Sequence, residues 1–375
     1  MDYQAIHLVF FLSRATPLRR WHERGILSRE IAIYQRLAAR VGSVSLVTSG
    51  GEEELHYQEM IGKINILYNR WGLSPNFYSL LAPILHWSIL RKATLYKTNQ
   101  PDGAWTAIIG AKLYRKPVIA RAGYLWAELN RHQKGHSFKS TLIDQLQAFS
   151  FRQANRVCLT SLQMKEQVAA TYALPADKIT VIPNYVDTER FAPQSNGCKI
   201  SGRICFVGRL DPIKNLDMLI RAVAVIPGAS LAIIGEGPQR AELEQLASEV
   251  NASVDFLGIV PNQQLPTVIN RAEIFALPSS TEGHPKALLE AMACQVAVVG
   301  TDVPGIREQI VHGETGLLCN CEENSLREAI QQLLDDGALR QILGQNARCY
   351  ILEHFALDKI VNQELELLRQ LADEA

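Results

Sequence analysis

No Asp-x-Asp occurs anywhere in the sequence, which removes the usual carboxylate pair for holding a phosphate group through Mg²⁺ or Mn²⁺. Neither sign of charge is in excess. Thirty-eight Lys plus Arg balance thirty-eight Asp plus Glu, and that argues against a nucleic acid held by bulk electrostatics. Seven cysteines form no paired spacing, and Cys319-Asn320-Cys321 is too close for the usual metal or redox motifs. Reduced thiols in the cytosol are the expectation. Long apolar runs are missing as well. The longest, Phe77 to Leu90, is broken by Pro83 and falls short of a membrane span. The run from His7 to Leu12 is too short for the core of a signal peptide, and Met1-Asp2-Tyr3-Gln4 offers no basic start. A cytoplasmic protein is expected, without internal repeats or low-complexity tracts.

The chain has 375 residues, 47% of them hydrophobic, enough for two cores. Short β-rich runs alternate with helical patterns. Ala5 to Leu12, Val44 to Thr48, Ile64 to Tyr68, Leu95 to Thr98, Val118 to Arg121 and Val157 to Thr160 read as strands. Helices are predicted over a stretch capped by Ser28, over Pro75 to Leu90, Gly103 to Tyr114, Ser140 to Ala154 and Ser161 to Tyr172. Strands separated by helices imply a parallel, doubly wound sheet. Ile179 to Asp187 ends a strand in a Pro-Asn turn, and polar Pro193 to Gly202 reads as the linker to a second domain. There, strands follow at Arg203 to Val207, Leu231 to Ile234, Val254 to Leu257, Ile274 to Leu277 and Val296 to Gly300. Ser325 to Leu371 is largely helical.

Ligands of such sheets collect beyond the carboxyl ends of the strands. Ser13 to Arg40 holds seven arginines against Glu23 and Glu30. That stretch fits phosphates or an anionic membrane surface, or equally a solvated helix face. Arg121-Ala122-Gly123-Tyr124-Leu125-Trp126 brings a cation and two aromatics to a strand end, for a sugar site or simply for the core. Gly208 to Asn215 carries Arg209 and Lys214, two cations suited to a pyrophosphate. Gly235-Glu236-Gly237 with Asp255 invites a dinucleotide reading, although Arg240 stands where the third glycine belongs. In Glu282-Gly283-His284-Pro285-Lys286-Ala287-Leu288-Leu289-Glu290, Pro285 fits the first helical position. The amides of Lys286, Ala287 and Leu288 then form an anion site between two carboxylates, Glu282 and Glu290. A capped surface helix with two solvated acids is the plainer alternative.

Taken in order, these motifs resemble the family 4 glycosyltransferases, retaining enzymes of the GT-B fold, in which two Rossmann-like doubly wound domains face a central cleft. Val181-Ile182-Pro183-Asn184 with Asp187, Gly208-Arg209-Leu210 with Lys214-Asn215, Gly235 to Pro238, Glu282 to Glu290 and Gly313 to Leu318 carry the likeness. It implies an acceptor-side domain over 1–190, a nucleotide-sugar domain over 200–352 and a final helix, 353–375, bracing the first domain. It further implies a metal-independent hexosyltransferase that needs no cofactor, with a UDP-, GDP- or ADP-sugar as donor and a carbohydrate or lipid-linked acceptor. By the resemblance, Glu282 contacts the transferred sugar, Glu290 the ribose, and Arg209 and Lys214 the diphosphate. Gly258 to Pro261, including Val260, is the place for backbone contacts to the base. Two departures lie on the acceptor side. Only Gly25 stands where many members carry paired glycines, and Arg121-Ala122-Gly123 replaces a common histidine, leaving Gly25, Arg121 and Tyr124 as candidates there. His22, His132 and His136 read as solvated. Cell-surface polysaccharide or glycolipid synthesis is the implied setting, with peripheral attachment to anionic membrane through the Ser13 to Arg40 arginines and the Phe77 to Leu90 segment. The competing readings are a dinucleotide-dependent oxidoreductase and a non-catalytic sugar-nucleotide-binding relative.

Overall fold

A computed structural model describes residues 2–125, 138–194 and 199–374. Trp126, His132, His136 and residues 195–198 of the expected linker lie outside them. The chain divides into two compact units, one of residues 1–183 with 360–375 and one of residues 184–359.

The first unit is built on seven parallel strands: β1 (His7–Phe11), β2 (Ser43–Val47), β3 (Asn65–Leu67), β4 (Leu95–Thr98), β5 (Val118–Ala122), β6 (Arg156–Leu159) and β7 (Ile179–Val181). Their order is β3-β2-β1-β4-β5-β6-β7. Connecting helices are α1 (Leu18–Glu23), α2 (Leu27–Ala38), α3 (Gln58–Ile61), α4 (Pro75–Leu85), α5 (Trp87–Leu90), α6 (Ala104–Tyr114), α7 (Phe138–Gln153) and α8 (Leu162–Tyr172). Ser161 caps α8 by accepting from the Met164 amide. Ser28 does not cap α2, because the helix starts a residue earlier at Leu27 and its cap position is Ile26. The single helix expected over Pro75 to Leu90 is interrupted at His86, which leaves helical geometry and whose Nε2 meets the Tyr78 hydroxyl at 2.9 Å.

The second unit has six parallel strands: β8 (Arg203–Val207), β9 (Ser230–Ile234), β10 (Val254–Gly258), β11 (Ile274–Leu277), β12 (Ala297–Thr301) and β13 (Leu317–Cys319), in the order β10-β9-β8-β11-β12-β13. Around them lie α9 (Leu216–Ala224), α10 (Arg240–Glu249), α11 (Leu265–Asn270), α12 (Lys286–Ala293), α13 (Pro304–Arg307), α14 (Glu323–Asp335) and α15 (Gly337–His354). Central strands covered on both faces must be apolar throughout, and β11 is buried at all four positions. Val186 and Phe191 belong to this core. The second unit therefore begins at Asn184, ahead of the polar stretch from Pro193 that composition alone marks as the linker.

The last helix, α16 (Leu357–Asp373), joins the first unit from Ile360 onward. There the Glu364 carboxylate meets Lys97 Nζ at 2.5 Å and the Arg121 guanidinium at 3.2 Å, with all three side chains buried. Among the described residues no helix is long and apolar enough to cross a membrane.

Candidate active site

In the second sheet, β8 and β11 are neighbours from which strand order runs away on both sides. The loops leaving them, 208–215 and 278–285, therefore emerge together, as at the ligand-binding crevice of open α/β sheets. Two hydrogen bonds pin the loops to each other. The Ser280 amide donates to the Ile213 carbonyl at 2.8 Å, and Asn215 Nδ2 donates to the Pro278 carbonyl at 3.1 Å. Across this junction Lys214 Nζ is paired with Glu282 Oε1, which also accepts from the Ser279 hydroxyl at 2.7 Å. Gly305 braces the acidic loop from behind. A Cβ on it would stand 2.3 Å from the Glu282 carbonyl oxygen, so only glycine permits this approach.

The helix after the loop begins at Lys286, and Pro285 occupies the cap position just outside it rather than the first helical position. Its ring fixes φ near the same value in either place, which is why the sequence pattern misses by one residue. Pro285 supplies no side-chain hydrogen bond to the first turn. The Leu288 side chain is buried and Ala287 packs on the core, so the chemistry these two positions present is that of their backbone amides. Lys286 Nζ sits 4.9 Å from the Tyr185 ring centroid. One turn on, Glu290 is only 1% exposed and accepts from Asn262 Nδ2 at 2.8 Å. Asn262 follows half-buried Val260 in the loop after β10, so the second carboxylate and that loop are joined directly. His284 holds the turn in shape. Its Nδ1 pairs with Gln309 Nε2 at 2.8 Å, and its carbonyl accepts from Asn184 Nδ2 at 2.7 Å.

Arg209 opens the 208–215 loop, is 60% exposed and pairs with Asp211 at 3.2 Å. The glycines once open to a dinucleotide reading have another task. A Cβ on Gly235, whose φ is +136°, would fall 1.8 Å from the Gly208 carbonyl oxygen, and one on Gly237 would fall 2.3 Å from that of Leu210. They let two backbones touch, and Asp255 is paired with Arg203.

The acceptor-side candidates belong to the first unit. Gly25, with φ +67°, turns the chain out of α1. Arg121 points into the buried pair with Glu364 rather than standing at an open strand end, because β5 continues to Ala122. Tyr124 is half-buried, and burial pushes its hydroxyl up to about 12. Much of the basic stretch is already paired: Arg14 with Asp102, Arg19 with Glu23 and Arg29 with Glu30. Residues the motifs left unassigned also contribute, namely Ser279, Asn262, Gly305 and Gln309. Ser279 was visible as the loop residue three before Glu282; the others act across sequence distances that pattern does not reveal.

Residues 31–190 match the family model Glycosyltransferase Family 4, and residues 187–349 match Glycosyl transferases group 1. Alpha-maltose-1-phosphate synthase of Mycolicibacterium smegmatis is 29% identical over 250 residues, 58% of this chain and 64% of that protein. A GDP-mannose-dependent alpha-(1-6)-phosphatidylinositol monomannoside mannosyltransferase of the same organism is 29% identical over 267 residues, 64% of this chain and 68% of that protein. The chain thus spans about two thirds of these relatives. Among solved structures, sucrose-phosphate synthase from Thermosynechococcus elongatus superposes with TM-score 0.81 at 21% identity, covering 99% of this chain and 100% of that one. Anabaena HepE in complex with UDP and glucose gives 0.78 at 20% identity, covering 97% and 99%. The fold is GT-B.

Proposed function

Because this chain belongs to glycosyltransferase family 4, we propose that it moves a hexosyl group from a nucleoside-diphosphate sugar to a carbohydrate or lipid-linked acceptor, with retention of anomeric configuration. The observation that carries the reading is the Lys214–Glu282 pair standing beside the amino end of the helix that also bears Glu290. In this reading the donor exchanges that pair for its own contacts. Lys214 takes a phosphate oxygen, and Glu282 takes hydroxyls of the sugar.

Glu290 then binds the ribose, Val260 lies along the base, and the amides of Lys286, Ala287 and Leu288 hold the diphosphate with Arg209. As the bond from the anomeric carbon to the phosphate oxygen breaks, the sugar becomes oxocarbenium-like and negative charge grows on the leaving diphosphate. The acceptor oxygen bonds to the anomeric carbon, and its proton passes to the leaving phosphate oxygen. Fixed cations and amide dipoles aimed at the leaving group stabilise that charge most where it develops. Two cations in that role support a reaction without an essential metal. HepE with UDP and glucose, and the GDP-mannose-dependent relative, support a nucleotide-sugar donor with UDP, GDP or ADP as the leaving group. On the acceptor side Gly25 and Tyr124 remain in the proposal and Arg121, tied to Glu364, is withdrawn. The setting proposed is cell-surface polysaccharide or glycolipid synthesis at the inner face of the membrane.

A thermal-shift titration with UDP, GDP, ADP and NAD⁺ tests the reading. A ligand that binds only the native state stabilises it by about 2.7 kcal/mol at a hundredfold its Kd. One diphosphate should raise the melting temperature, with the response weakened in Arg209→Ala and lost in Glu290→Ala. A response to NAD⁺ alone, or to nothing, removes the proposal.

A further inference from the structure

Helices α4 and α5 bury Tyr78, Ala82 and Pro83 beneath them and turn another face to solvent. Phe77 is 66% exposed, Ile84 59% and Trp87 50%, and Leu80 lies between them at helical spacing. Leu113 extends the surface from α6, which packs beside α4 through the Tyr114 hydroxyl on the Pro83 carbonyl at 2.8 Å. Isolated exposed apolar side chains are ordinary, but a contiguous aromatic and aliphatic face on a folded unit marks a contact surface.

Its rim is basic. Arg70 lies 4.6 Å from the Trp71 ring centroid and Arg91 4.4 Å from that of Trp87, while exposed Lys112 sits on α6 beside Leu113. From residue 61 to residue 125 the sequence has nine Lys or Arg and one acid, Asp102, although the whole chain is balanced. Asp102 is held by Arg14. No acidic side chain from this stretch is left to oppose an anionic surface. Beneath the face, burial holds His86 down to about 4 between Trp71 and Tyr78, so the layer under the rings stays uncharged at neutral pH.

Amphipathic rings, protruding aliphatic side chains and a one-signed cationic rim are what an interfacial helix offers to lipid headgroups. We propose that this face docks on a bilayer containing anionic lipid, with Phe77, Leu80, Ile84 and Trp87 entering the headgroup layer and Arg70, Arg91 and Lys112 meeting lipid phosphates. It rests on the reading of a lipid-linked acceptor, which such an enzyme must reach in the plane of the membrane. The arginines between Ser13 and Arg40, several of them paired within the unit, are secondary.

Flotation with phosphatidylglycerol–phosphatidylcholine vesicles and with pure phosphatidylcholine, at low and high salt, tests the docking. The parent should partition at least about tenfold more strongly onto the anionic vesicles, and high salt should erase most of that preference. Ile84→Asp with Trp87→Ser should lose about tenfold or more. Arg91→Glu with Lys112→Glu should lose the anionic preference while keeping the apolar face. Urea unfolding of each variant is also compared with that of the parent, and unchanged transitions show the fold intact. Failure of the parent to float, or variants that float like it, overturns the docking. So does a parent dimer that Ile84→Asp dissociates, which would assign the face to a second copy. Vesicle binding with no diphosphate response would instead sink the transferase reading and leave the surface standing.

Discussion

The two sheets reverse strand order at matching places, between β1 and β4 and between β8 and β11, yet they keep their charge in different positions. Both junctions are spanned by an ion pair, Arg14 with Asp102 in the first unit and Lys214 with Glu282 in the second. In the first, the backbone closes in as well: a Cβ on Gly103 would stand 2.9 Å from the Arg14 amide nitrogen. That unit also holds charges inside the sheet, where Lys97 of β4 and Arg121 of β5 share Glu364. In the second unit β11 and β12 carry no charged residue, and Lys214 and Glu282 stand beyond the strand ends. A lysine–glutamate pair within a sheet supports architecture. The same pair past the strand ends stands where open α/β sheets take their ligands.

The comparison breaks most sharply at Glu364. Its replacement by alanine leaves two cations buried without their acid, and such losses cost about 3–5 kcal/mol. Urea unfolding should register that drop; a change of under about 1 kcal/mol would mean the cluster is not structural. Glu282→Ala should do the converse. The transfer rate should fall by about 10²–10³, or about 2.7–4 kcal/mol, while unfolding free energy moves by no more than about 1 kcal/mol. A destabilised protein with an undiminished rate would erase the distinction between the two pairs.

The polar interior of the first unit also predicts a pH dependence. Burial holds His86 down to about 4 against an ordinary 6.5. The unfolded chain therefore takes up a proton first as pH falls, so this contribution is full above 6.5 and is lost as pH drops towards 4. Between pH 7 and 4.5 the parent should lose about 2–3 kcal/mol more than His86→Gln. Equal slopes would put the imidazole in contact with water. The smallest effect is expected at Asp102→Ala, about 0.2–1 kcal/mol in stability. Should it slow transfer as much as Glu282→Ala does, both junctions take part in the reaction and the contrast narrows to the helix that follows each.

Much of this was legible in the sequence because parallel strands are dense apolar runs: Leu95–Thr98, Arg203–Val207 and Ile274–Leu277 are found at the predicted limits. That Lys214 and Glu282 lie just past strands was legible too, but not that they pair. Partnerships between distant residues were not legible. Glu54 looks like one more solvated acid in a run of three, yet it is fully buried, accepting from the amides of Leu18 and Arg19 and from the Thr48 hydroxyl. Arg121 reads as a strand-end cation until Glu364 claims it. Asn262 and Gly305 gave no local signal, since a hydrogen bond to Glu290 and the room for a backbone contact are properties of folded neighbours. Helix α10 has no capping signal in the sequence, since Gln239 at its cap position makes no side-chain hydrogen bond to the first turn.

The first unit is encoded in two pieces, with residues 360–375 returning to it after all of 184–359. On the ribosome Lys97 and Arg121 are therefore made long before their counter-charge. The contiguous second unit can fold as soon as it clears the exit tunnel, whereas the first must wait for Glu364. The unit begun first is thus finished last, against the usual amino-to-carboxyl order of domain folding. A released chain ending at Lys359 should carry a protease-sensitive first unit beside a resistant second one.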